Sequence, residues 1–365
     1  AGAQWQAYRD DGSEEDFLIR FDEEPDAFTF GAGTGFWLTA TEDWTVSAEF
    51  DAPALTSDQA TTVPLNDGWT IVSNPFDRDV AWRSVQEAND ISQPLWRFDA
   101  TGGFVPADSM MSARSGEAYY VLSDAGQNDL TLPYPATGGA ADGFQQTARA
   151  ATIALVANPV HHDAPASTVE VGVGTQGTTR HIAPPGGLEA VSLRIQPSSD
   201  PSSDAEPGTR TRALLKETRQ LEGGGTTFDL RLTARVGGPV EVKARDLDAL
   251  QGYEGAILNP ETGTTHGLGE SITVEPGEDE ATTLQVAIGS AAYVDRQREE
   301  VVPQEVAFTS YPNPVRDQAT VEYALPEEAD VRLEVYDMLG RRVATLASET
   351  QDAGVHELPF DTGNL

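Results

Sequence analysis

AFTSYPNPVRDQATVEYALPEEADVRLEVYDMLGRRVATLASETQDAGVHELPFDTGNL, residues 307–365, is the stretch on which the fold reading turns. Tyr311-Pro312-Asn313-Pro314 excludes helix, because each proline fixes its own φ and pushes its predecessor toward extended geometry. From Ala319 to Leu325, every second residue (Val321, Tyr323, Leu325) is apolar, the pattern of a half-buried strand. Pro326 to Asp330 reads as a turn. Val331, Leu333 and Val335 alternate again, and Tyr336 leads into Asp337-Met338-Leu339-Gly340, where a glycine permits positive φ. Val343 and Leu346 belong to a further strand, and Val355, Leu358 and Phe360 to another. Short strands separated by turn signals predict an antiparallel sandwich.

The same residues carry a family resemblance. Asn313-Pro314, the strand ending Tyr323-Ala324-Leu325-Pro326, the hairpin from Val335-Tyr336-Asp337 to Gly340-Arg341, and Gly354-Val355-His356-Glu357 together resemble the C-terminal sorting domain of type IX (Por) secretion cargo in Bacteroidota. The competing reading is a generic immunoglobulin-like domain. The resemblance implies an immunoglobulin-like sandwich over about 306–365, handling by the type IX export machinery, and a final location outside the cell or on its outer surface. It also implies that the domain is cleaved after export while the remainder is anchored to surface glycolipid. Asn313, Pro314, Tyr323, Tyr336, Asp337, Gly340 and Gly354 are expected to fix turns and packing in it rather than to perform chemistry. Members of the family continue with a small-Gly-aromatic strand that closes the sheet, so the domain is expected to be incomplete at Leu365.

Charge is the strongest compositional signal. The chain of 365 residues carries 59 acidic and 23 basic side chains, a net charge of −36, and its only lysines are Lys216 and Lys243. The acids are spread along the chain. One reading is a halophilic protein, in which salt screens self-repulsion and carboxylates keep the surface hydrated; the other is an acidic extracellular protein. The scarcity of lysine favours the first. Nucleic acid and anionic membranes would be repelled, whereas divalent cations would be attracted. With no cysteine, a disulfide framework and thiolate metal sites are excluded. No run of apolar residues is long enough to form a transmembrane helix.

All six tryptophans fall between Trp5 and Trp96, which predicts an aromatic-rich β module over 1–132. Inside it, residues 19–47 and 96–132 form a weak repeat: Arg-Phe-Asp, a turn-rich stretch with Phe, then an aromatic pair (Phe36-Trp37 or Tyr119-Tyr120) running into Leu. The strand Trp69 to Val72 has no counterpart before the first copy, so the chain is expected to begin partway through a repeat. Trp82, Val85 and Ala88 are spaced for a short helical turn. A Gly- and Ala-rich linker spans 133–148. Residues 149–295 read as about eight strands, a β-sandwich of ordinary size, with 212–221 either a short helix or an edge strand. A charged linker, 296–304, leads to the sorting-like domain at 305–365. The expected fold class is all-β, multidomain and built of antiparallel β-sandwiches.

Candidate chemistry is sparse. His161-His162-Asp163 is the only histidine pair, but neighbours on an extended segment point to opposite faces, and no third ligand sits at zinc-motif spacing. Asp77 with Asp79, and Asp246 with Asp248, each place two carboxylates on one side of an extended segment, which suits Ca²⁺, but no Asp-x-Asp-x-Asp-Gly loop is present and in so acidic a chain such pairs also arise by chance. No nucleophile elbow, phosphate-binding glycine loop or His-Glu-x-x-His motif occurs, and no pair of acids stands out as a glycosidase pair. Trp37, Trp44, Trp69, Trp82, Trp96, Tyr119 and Tyr120 form either a sugar-stacking platform or a core built from large side chains. The expectation is a non-catalytic structural or interaction protein, exported as cargo. The alternatives are a carbohydrate-binding module, the accessory tail of a larger secreted hydrolase, or a subunit that pairs with copies of itself in a surface layer or filament.

Overall fold

The computed structural model describes residues 5–12, 18–28, 31–40, 53–99, 103–123, 126–135, 150–162, 164–174, 178–185, 189–197, 212–221, 223–277, 280–312 and 318–361. They are mostly β and fall into two compact units. The first comprises Ala1–Arg149, Pro165–Ser167 and His181–Glu189; the second comprises Ala150–Ala164, Thr168–Arg180 and Ala190–Leu365.

In the first unit, Trp69–Ser73, Ala118–Leu122, Leu95–Asp99 and Gly103–Ala107 lie side by side in that order as an antiparallel sheet. Ala60–Pro64 pairs with Asp129–Pro133, and the helix Trp82–Asn89 packs on the latter strand. Large side chains make this small core, because each aromatic removes much apolar area from water. Trp82, Val85, Leu95, Met110, Tyr119, Val121, Leu130 and Leu132 are buried in one cluster. The expected helical turn at Trp82, Val85 and Ala88 is thus present. A smaller sheet orders Leu18–Arg20, Trp5–Asp10 and Trp37–Ala40. In it Trp5–Asp10 lies between Leu18–Arg20 and Trp37–Ala40, whereas in the larger sheet Ala118–Leu122 lies between Trp69–Ser73 and Leu95–Asp99, so the two stretches of the weak repeat differ in strand order.

The second unit departs from the expected central sandwich. Its strands join one large mixed sheet that curls nearly into a barrel. The order is Thr264–Gly267, Glu254–Asn259, Ala281–Gly289, Gly225–Ala234, Val191–Gln196, Leu214–Gln220, Ser167–Gly174, Ala151–Pro159, Val240–Arg245 and Ser271–Val274; Thr179–Ile182 also pairs with Leu214–Gln220. Period-two alternation, as at Phe228, Leu230, Leu232 and Ala234, does predict one buried face, but it cannot say whether that face meets a second sheet or curls upon itself. Leu214–Gln220, expected as a short helix or an edge strand, is an interior strand, parallel to Ser167–Gly174 from Glu170↔Lys216 onward.

The expected charged linker at 296–304 is instead largely the helix Ala291–Val301. The Ser290 hydroxyl caps it by accepting from the Tyr293 amide at 3.4 Å. Val294, Tyr293 and Val301 then pack on Ala256, Leu258 and Ala287 of the sheet. The ring of Tyr293 lies over Gly225 and Gly289, which face each other in register; a Cβ on Gly225 would overlap it.

Candidate functional site

The sorting-like stretch folds as two small antiparallel sheets. Ala307–Tyr311, Gln318–Leu325 and Gly354–Asp361 form one, in that order; Ala329–Tyr336 and Arg342–Gln351 form the other. Val321, Tyr323 and Leu325, placed on one face by their spacing, are buried and pack with Val331, Leu333, Leu346 and Leu358 across the two sheets. Tyr323 stacks on His356, at 5.3 Å between ring centroids, and its hydroxyl donates to Gln351.

The hairpin between Ala329–Tyr336 and Arg342–Gln351 is fixed by Asp337. Its carboxylate accepts from the backbone amides of Leu339 and Arg341, both at 2.9 Å, and from Arg341 Nε at 2.7 Å. These bonds, the Arg341 amide first, hold its pKa below the usual carboxylate range. Gly340 closes the turn at φ +75°, the positive φ that a glycine permits. On the strand behind it, Glu334 accepts from Arg342, Tyr336 and Arg332, which together hold its pKa down at about 2. The bond to Glu334 in turn raises the Tyr336 phenol. Gly354, at φ +139°, fits closely against Thr262 and Thr264 of the large sheet, and the Val355 amide donates to the Thr262 carbonyl. A side chain at 354 would collide there. Asn313 and Pro314 lie outside the described residues.

This domain carries much of the exposed apolar surface of the described residues. Val306, Phe308 and Tyr311 are exposed along the edge strand Ala307–Tyr311, and Tyr336, Met338 and Leu339 are exposed at the hairpin. Met338 is fully exposed at 103 %. No sequence motif singles out Phe308, Met338 or Leu339. The signal available for the latter two was their apolar character between Asp337 and Gly340, in a turn that has no core to fill.

The remaining candidate residues are placed as follows. Trp69, Trp82, Trp96, Tyr119 and Tyr120 are buried in the first unit, whereas Trp37 is half-buried, its indole donating to the Tyr120 hydroxyl at 3.2 Å. Tyr120 meets Trp69 and Phe104 edge to face. Trp44 lies outside the described residues, as does Asp163. His161 and His162 are exposed, and His162 bonds the Gly237 carbonyl. Asp77 and Asp79 are exposed; the first accepts from the Tyr134 hydroxyl and the second from the Ser112 amide. Asp246, at φ +62°, precedes the short turn Leu247–Leu250, and both it and Asp248 are exposed. Among the described residues, neither aspartate pair belongs to a group of three or more metal-ligating side chains. No helix of the described residues is long and apolar enough to cross a membrane.

A family model, the secretion system C-terminal sorting domain, matches residues 309–362. No curated protein and no solved structure matches the chain. The matched residues fall on the two-sheet module just described. Residues 309–362 are therefore a Por secretion system C-terminal sorting domain, and the protein is type IX secretion cargo, delivered outside the cell or to its outer surface.

Proposed function

We propose that the part of the chain ahead of the sorting domain is a non-catalytic structural or interaction protein of the cell exterior, with the sorting domain as its address. The observation that carries this reading is where the large aromatics went. Trp69, Trp82, Trp96, Tyr119 and Tyr120 are spent on the core of the first unit. A stacking platform needs exposed ring faces, and among the described candidates for one only Trp37 is partly exposed. The sorting domain serves as a folded handle for the export machinery: its five strands bury a small core, while the edge strand Ala307–Tyr311 and the Asp337–Gly340 turn present apolar side chains outward. The remainder is β scaffolding with an acidic coat, and its largest element is the mixed sheet of the second unit.

The test has two arms. Removing residues 306–365 from the expressed protein should leave it inside the cell envelope, and attaching them to an inert exported reporter should send the reporter outside. Purified full chain should then show no turnover on panels of glycoside, ester and peptide substrates. Turnover abolished by one point substitution would replace this reading with an enzymatic one. Glycan binding lost on Trp37→Ala, with the fold intact, would replace it with a carbohydrate-binding one.

A further inference from the structure

The hairpin of the sorting domain carries side chains that its own folding does not use. Val331 and Leu333 of the strand Ala329–Tyr336 pack into the core, so the alternate residues Arg332, Glu334 and Tyr336 share the opposite face. Their bonds agree with this: Glu334 accepts from Arg332, from Tyr336 and, across the hairpin, from Arg342. The strand runs directly into the tip, Asp337 to Gly340, where Met338 is fully exposed and Leu339 is 81 % exposed. Tyr336 and Val343 flank the tip and are exposed as well.

The turn needs none of these apolar groups. Asp337 closes it through the amides of Leu339 and Arg341, and Gly340 supplies the positive φ, whatever side chains stand between them. The same bonds hold Met338 and Leu339 in one arrangement before a partner arrives, which lowers the ordering cost of docking. The tip is a preorganised apolar knob directed at solvent, and the unbranched thioether of Met338 adapts readily to the walls of a pocket.

Charge indicates what would receive it. Between Val331 and Leu346 stand three arginines and two acids, a local positive excess in a chain of net −36. Both acids are engaged within the hairpin. Arg332, Arg341 and Arg342 each give one nitrogen to an acid, which leaves most of a five-donor guanidinium unspent, and Arg341 is 75 % exposed. An apolar tip ringed by arginines fits a pocket with an apolar floor and a carboxylate rim. A flat anionic bilayer fits it less well, because the acidic coat around the hairpin would be pressed against lipid phosphates.

We propose that this hairpin is the docking knob of the sorting domain: Met338 and Leu339 enter an apolar pocket on a protein of the export machinery, and Arg332, Arg341 and Arg342 engage carboxylates at its rim. This rests on the handle reading given above and narrows it to one face and one partner chemistry. Asp337 acts as a positioning residue that sets the shape of the tip. The edge strand Ala307–Tyr311 exposes Phe308 but contains no cation, and it lies outside the knob.

The test measures the full chain outside the cell, by immunoblot, in a cell with the type IX machinery. Met338→Ser combined with Leu339→Ser should lower export about tenfold or more, as loss of central anchor side chains does. Since both residues are exposed, the melting temperature of the purified variant should match wild type, which separates lost docking from lost folding. Arg341→Glu should lower export as well, Arg341→Lys should keep most of it, and Phe308→Ser should leave it unchanged. Wild-type export of the double serine variant, or an equal loss in Phe308→Ser, overturns the hairpin assignment; wild-type export of Arg341→Glu overturns the carboxylate rim. Removal of residues 306–365 tells the two failures apart. If the shortened chain is still exported, the handle reading itself fails; if it is retained while the double serine variant is exported, the hairpin alone fails. Purified full chain is also sedimented with phosphatidylcholine–phosphatidylglycerol vesicles. Binding that disappears in the double serine variant would assign the knob to a lipid surface and overturn the protein pocket.

Discussion

Desolvation raises the Asp10 pKa from 3.8 to about 6. The folded state therefore keeps a proton that the unfolded chain releases. The stabilisation is complete below pH about 4 and is lost as pH rises through about 6, a difference on the order of 3 kcal/mol at most. Asp10→Asn, which keeps the acceptor for the Gly12 amide, is thus expected to unfold at higher denaturant than wild type at pH 8. The two should converge near pH 3.5. A less stable variant at pH 8 would mean that the Gly12 amide and the Tyr120 hydroxyl outweigh burial in holding the charged form. Glu217 is the opposite case. It is fully buried, but its two oxygens accept from Arg180 at 2.9 Å and Arg219 at 2.6 Å, and Arg219 also lies 4.5 Å over the Phe228 ring. Glu217→Leu leaves two cations without their partner and should cost about 3–5 kcal/mol in urea unfolding. A loss under about 1 kcal/mol would mean that water already reaches the arginines. Nothing in the local sequence around Asp10 or Glu217 marks them out among 59 acids, because their environments are assembled from distant strands.

Elements were legible wherever a period was clean and misread where charge masked it. Gln318–Leu325, Val240–Arg245 and Gly225–Ala234 alternate in sequence and are strands. The helix Ala291–Val301 was hidden because the expected linker, Arg296 onward, is dominated by Arg and Glu; Tyr293, Val294 and Val301 are the side chains by which it joins the sheet's apolar cluster. Its cap and its glycine seat make separable predictions. Ser290→Ala should cost about 1 kcal/mol. Gly225→Ala should cost more, since the added methyl meets the Tyr293 ring against a backbone that cannot retreat. Hydrogen exchange of the helix amides distinguishes the two: fraying at the first turn for the cap, faster exchange along the whole helix for the glycine. Equal, small effects would mean that the helix is not held by Tyr293. In the sorting domain the hairpin was readable to the residue, since Asp337 and Gly340 are turn chemistry and need only their neighbours.

Across the whole molecule, charge sets the response to solvent. A net −36 spread over the chain repels itself, and screening shortens from about 10 Å at 0.1 M salt to about 3 Å at 1 M. Tm is expected to rise by several degrees between 0.1 and 2 M NaCl, most steeply below 1 M, in Asp10→Asn as in wild type, because the effect belongs to the coat and not to one site. A melting point flat in salt would remove the high-salt reading of the composition. The sheet layout is the other property of this scale. Alternation along each strand told which residues would be buried, yet Ala151–Pro159 and Val240–Arg245 become neighbours only through pairing across some eighty residues of chain.

By itself, then, the sequence determined the mostly β character, most strand positions, the turn at Asp337–Gly340, the sorting domain and the acidic coat. Each of these depends on local geometry or on summed composition. Only the tertiary structure decided that the central strands join one mixed sheet, that a charged stretch is helix, that the aromatics fill a core, and that Asp10 is buried. The reason is physical: burial and pairing are relations between residues far apart in the chain, and they exist only once the chain has brought those residues together.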